Sequence, residues 1–85
     1  MTKRERTKII EWANTLTDEE VEKNYYDIVL NVCLNSQVEK MYEYDYSIRD
    51  IRDRQKYEEF ESKKADILEG LCYKRGIKLW ENKNE

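Results

Sequence analysis

Any chemistry in this chain would have to come from carboxylates, tyrosines and two thiols, because its 85 residues include no histidine. That removes the commonest general base and the commonest transition-metal ligand. Cys33 and Cys72 lie far apart, with neither a CxxC spacing nor a His partner, and do not make a zinc site. Two glycines, Gly70 and Gly76, are too few for a phosphate-cradling loop. Carboxylate pairs such as Glu58-Glu59 and Asp18-Glu19 fall in runs of charge and read as solvated helix surface. No catalytic, cofactor-binding or metal-ligating residue is assigned, and the expectation is a protein that is not an enzyme. One cluster stands out: Met41-Tyr42-Glu43-Tyr44-Asp45-Tyr46, where aromatic and acidic residues alternate. Tyrosine suits binding surfaces because it brings large contact area with only two torsions to freeze.

The elements that would hold this cluster follow from caps and periodicity. Charged residues make up 41% of the chain and mean hydropathy is −1.07, values compatible with disorder. Two Trp, seven Tyr, the absence of Pro and a regular scatter of Ile, Leu and Val argue instead for a helical domain with a charged exterior. Thr2-Lys3-Arg4-Glu5 and Thr17-Asp18-Glu19-Glu20 have the capping-box pattern, in which a hydroxyl and a carboxylate satisfy end amides reciprocally. The first helix spans about 3–16 and presents Ile9, Trp12, Ala13 and Leu16 on one face. The second runs over 18–42. Its apolar centre, Tyr25 to Leu34, covers roughly 240° of the helical wheel, well beyond the usual stripe of about 100°. The reading is a central helix covered on more than one side. Its remaining arc, Asn24, Asp27, Asn31 and Asn35, is either a wet stripe or a polar ridge that bonds a partner or the next helix.

The third helix spans 47–75, from the cap Ser47 to a stop at Lys74-Arg75-Gly76. Gly76 is placed for the left-handed position, and Ile77 for the apolar contact that follows it. Tyr57, Phe60, Ala65, Ile67, Leu68, Leu71 and Cys72 share a broad face, while Ile48 and Ile51 fall roughly opposite. Either the helix breaks within 52–56, or these isoleucines form a separate patch beside Tyr44 and Tyr46. The fold expected is all-α: a small three-helix bundle with a long central helical hairpin, one domain over 1–81. It has a tail at 76–81 and a frayed end at 82–85. Ile28, Val32, Phe60 and Leu68 are the expected core. Cys33 and Cys72 are read as reduced, buried thiols about 20 Å apart along the bundle, too far for a bridge.

Charge bears on partners. The net charge is −3, with sums of +2 over 1–16, −7 over 17–61 and +2 over 62–85. Bulk electrostatics therefore do not favour nucleic acid. A local exception is the ridge Arg49, Arg52 and Lys56, although Arg49–Asp53 and Asp50–Arg54 have the spacing for intrahelical pairing. No apolar run reaches the ~20 residues that span a bilayer. The charged opening lacks a signal-peptide core, so a cytoplasmic location is expected.

Ser36-Gln37-Val38-Glu39-Lys40-Met41-Tyr42, Ile48-Arg49-Asp50-Ile51 and Arg75-Gly76-Ile77-Lys78-Leu79-Trp80 resemble stretches of small helical accessory proteins. These are encoded by phages and prophages of Gram-positive bacteria. The resemblance implies a context, the binding and blocking of a host protein in the manner of anti-CRISPR and other anti-defence inhibitors, and transfers no functional residue. The expected surface is Tyr42, Glu43, Tyr44, Asp45, Tyr46, Ile48 and Ile51, facing a host protein with a basic surface. The alternatives are a DNA- or RNA-binding regulator using Arg49, Arg52 and Lys56, and a homo-oligomeric structural protein.

Overall fold

A computed structural model describes residues 1–80. It contains α1 (Lys3–Asn14) and α2 (Asp18–Ile28), the latter continued by a π-helical turn over Val29–Cys33. The short α3 (Val38–Glu43) and the long α4 (Ile48–Arg75) follow. No strand occurs among the described residues, and the chain is a small all-α bundle. None of its helices is long and apolar enough to cross a membrane. The expected fraying of 82–85 lies outside the described residues.

Both capping boxes form. Thr2 and Glu5 exchange side-chain and backbone bonds at α1, and Thr17 and Glu20 do the same at α2. The Thr17 bonds hold the Glu20 carboxyl below its ordinary value. Helix α4 ends as its sequence predicts. Gly76 takes φ 75°, and the amides of Gly76 and Ile77 reach back to the carbonyls of Tyr73 and Cys72 at 3.2 and 2.8 Å. Ile77 packs onto the core.

The second helix departs from expectation. It does not run on to residue 42: the pitch loosens over Val29–Cys33, where Leu34 N–H donates to Val29 O at 2.9 Å, and the helix ends before α3 begins. A π turn inserts a residue into the helical repeat and shifts the faces that follow. Val32, one turn beyond Ile28, is in the core, while Leu30, Cys33 and Leu34 are exposed. The wide apolar arc is thus left partly open to solvent, and Cys33 is not a buried thiol. Cys72 is buried, and both are free. Asn24 and Asn31 donate to the carbonyls of Glu20 and Asp27 one turn back, so that arc bonds its own helix.

Helix α4 takes the central place that the sequence assigns to the second helix, packing against α1, α2, the π turn and α3. It is continuous through 52–56. The main core joins Ala13, Val21, Tyr25, Ile28, Val32, Ala65, Leu68 and Cys72. Phe60 is only half-buried, against the expectation that placed it in that core. Ile51 is buried too, but outside this cluster, on the half of α4 that α3 covers. On a wheel of about 100° per residue Ile51 falls within about 100° of Ala65, Leu68 and Cys72, so it continues their side of α4 toward the N-terminus. The fold is flattened, with extents of 44 × 37 × 14 Å. The accessible surface is 6697 Å², whereas a compact monomer of this mass exposes about 5,400 Å².

Two polar latches fasten the plate. Arg75 reaches across to the α1–α2 corner, donating to Leu16 O (2.7 Å), Asp18 Oδ1 (3.1 Å) and Asn14 O (3.4 Å). It thereby caps the orphan carbonyls of α1 and complements the acidic start of α2. Farther along α2, Trp80 packs edge-on to Tyr25 and Tyr26. Its indole N–H donates to the Tyr25 hydroxyl and its amide to the Tyr26 hydroxyl.

Candidate protein-binding site

The tyrosine–acid segment is held at both ends. At its entrance, Glu58 of α4 accepts from the Ser36 hydroxyl, from the Gln37 amide at 3.2 Å and from Arg54 Nε at 2.8 Å. Gln37 stands at the start of α3, where Ser36 Oγ accepts from the Val38 amide at 3.3 Å, and a side chain from another helix adds a second acceptor for the amides there. Burial alone would raise the Glu58 carboxyl, but the Ser36, Arg54 and Gln37 donors outweigh it and hold it below its ordinary value.

At its exit, α3 closes with the same hydrogen-bond pattern as α4. The Asp45 amide reaches Tyr42 O at 3.4 Å and the Tyr46 amide reaches Met41 O at 3.0 Å. Asp45 sits at φ 55° in the left-handed region where α4 uses Gly76. Aspartate tolerates that region better than most residues but not as freely as glycine. Ser47 then caps α4 by accepting from the Asp50 amide at 3.2 Å. A helix stop and a helix start thus bracket Tyr44 to Ser47.

On this frame Tyr42, Tyr44, Tyr46 and Ile48 are 53–74% exposed, and Glu43 and Asp45 are exposed beside them. None of the three phenols has a hydrogen-bond partner among the described residues. Tyr25 makes the contrast. It is 5% exposed, donates to Glu69 at 2.9 Å and accepts from Trp80. Burial raises its phenol above the ordinary value. Ile51 departs from the expected surface. At 2% exposure it cannot meet a partner, and it lies beneath the hairpin because α3 folds over its face of α4.

The alternative ridge, Arg49, Arg52 and Lys56, is fully at the surface. The expected pairs Arg49–Asp53 and Asp50–Arg54 do not form, since Arg54 turns to Glu58 and stacks over Tyr57 at 4.7 Å. Sequence reasoning missed Glu58, read there as ordinary solvated surface. Its partners Ser36 and Gln37 are some twenty residues away and become neighbours only when α3 folds back.

The fold and the tip define a small all-α plate that presents a braced aromatic and acidic edge. No family model, curated protein or solved structure matches the chain.

Proposed function

We propose that the chain is a non-catalytic protein-binding module whose contact surface is Tyr42, Tyr44, Tyr46 and Ile48, with Glu43 and Asp45 steering a basic partner. One observation carries this reading: three tyrosines stand exposed and unbonded on a segment fixed at both ends. Pre-organised aromatic side chains bind with little ordering cost, and Tyr is over-represented among the residues that dominate interface energies. A host protein with a basic surface, blocked in the manner of a phage-encoded inhibitor, is the partner this reading favours. The acidic middle of the chain supports it through charge complementarity.

The test pairs binding with stability. Tagged parent and a Tyr44→Ala/Tyr46→Ala variant are compared by affinity purification with mass spectrometry, and both are melted. The expected result is equal melting temperatures and loss of the captured protein, with affinity down about thirtyfold or more at a hot spot. Charge reversal at Glu43 and Asp45 should mainly slow association, most clearly at low salt. Retained binding by the folded double variant rules the tip out.

A second reading, nucleic-acid binding through Arg49, Arg52 and Lys56, draws support from the exposure of all three cations on one line of α4. Asp53 flanks that line. Duplex binding that weakens steeply with salt, and weakens again on Arg52→Ala, would favour it over the tip.

A further inference from the structure

We propose that the groove between α1 and the C-terminal half of α4 is a second docking site, occupied by the tyrosine–acid tip of another copy of this chain. The inference rests on the reading of the tip as a binding surface. The groove encloses about 240 Å³. A cavity of roughly 150 Å³ already admits a benzene ring, so one phenol side chain fits. Ile10, Ala13, Ile67 and Leu71 give its lining an apolar part beside Gly70. A Cβ at Gly70 would meet nothing within 4 Å, so that stretch of α4 surface is bare. Arg6 and Lys74 line the same groove against one acid, Asp66. Neither cation has an ion-pair partner among the described residues.

The tip has the complementary character, aromatic rings beside two carboxylates. The distribution of charge along the chain matches this pairing. The two end segments, each summing to +2, build the groove, and the segment summing to −7 carries the tip. A chain cannot satisfy its own groove. Ile48 and Gly70 stand on one unbroken helix, about 33 Å apart at 1.5 Å per residue. The contact is therefore heterologous, tip to groove, and propagates into a ring or an open chain of copies. Self-assembly then competes with any outside partner for the same tyrosines.

Sedimentation of the full chain over a range of concentrations, at low and high salt, tests this. The parent should gain mass with concentration, less so at high salt. Three variants accompany it: Tyr44→Ala/Tyr46→Ala, which disables the tip, and Gly70→Phe and Arg6→Glu/Lys74→Glu, which disable the groove by bulk and by charge. Each alone should stay monomeric to at least tenfold higher concentration. An equimolar mixture of the tip variant with either groove variant should give dimers and nothing larger, because one sound tip then meets one sound groove. A parent that remains monomeric overturns the proposal. So does self-association that survives in the tip variant or in both groove variants, or a mixture that stays monomeric. Capture of an outside protein separates this from the reading beneath it. Groove variants that still capture the partner of the parent, with a monomeric parent, sink only the tip-to-groove contact. A tip variant unchanged in both mass and capture sinks the tip itself.

Discussion

Replacing Glu58 with Ala should unlock α3 while leaving the main core folded. The side chain holds three donors: the Ser36 hydroxyl, the Gln37 amide and Arg54 Nε. An i, i+4 ion pair contributes about 0.3–0.5 kcal/mol, a helix-start cap about 1 kcal/mol, and a further hydrogen bond to a charged acceptor about 1.5 kcal/mol. The ion pair lies within α4, so the two bonds that hold the α3 segment come to about 2.5 kcal/mol. Helix α3 has six residues and buries none of them, so it cannot persist without this anchor. Hydrogen exchange should show the amides of α3 and of the tip losing protection by up to about a hundredfold, while those of α2 and the C-terminal half of α4 keep theirs. Glu58→Gln, which retains an acceptor but no charge, should fall between. The pH dependence has a fixed sign. Because the folded carboxyl titrates below its ordinary value, its contribution is complete above the unfolded pKa of about 4.3. It is lost as pH falls through the lower folded value. Protection of α3 in the parent should therefore fail as pH falls below about 4.3, before the core does, and Glu58→Gln should lack that step. Unchanged α3 exchange in Glu58→Ala, or simultaneous loss of α3 and core protection, would refute the argument.

Three further outcomes follow from particular contacts. Leu68 is fully buried, so Leu68→Ala should cost about 3 kcal/mol in denaturant melts. Phe60→Ala should cost less than a fully buried Phe does. Asp45→Gly should raise the melting temperature, by an amount worth up to about 1 kcal/mol, because glycine accepts φ 55° without the Cβ penalty; Asp45→Val should lower it. In thiol labelling of the native protein Cys33 should react readily. Cys72 should react only on unfolding, since burial, reinforced by the nearby Glu22, both hides it and raises its pKa.

Local chemistry was legible wherever the signal and its consequence lay within one turn. Thr2, Thr17, Ser47 and Gly76 act as their spacing predicts. The buried positions of Ile28, Val32 and Leu68 follow from periodicity. The stop of α3 was less legible because Asp45 does there what glycine does at the end of α4, and no residue type announces it. The latches were hidden for another reason. Glu58 and Arg75 look like ordinary helix charges until residues 21 and 59 positions away come beside them.

The misplacement of Ile51 and the break in the second helix have one physical origin. A helical wheel shows how much of a helix is apolar but not which neighbour covers it. Extending the second helix to residue 42 would carry the chain away from Ile51 and leave that face of α4 bare. Loosening the pitch at Val29–Cys33 and ending the helix lets α3 fold back over Ile51, pinned by Glu58. The exchange exposes Leu30 and Leu34 and buries Ile51. The tip projects tyrosines because α3 is too short to bury a residue of its own. Removing the anchor beneath it, with Ile51→Ala, should accordingly loosen α3 exchange and weaken tip binding together. Leu68→Ala, at comparable cost in stability, should leave tip binding intact wherever the protein is still folded. Equal loss of binding in the two variants would mean that the tip is tied to the main core instead of to its own small cluster.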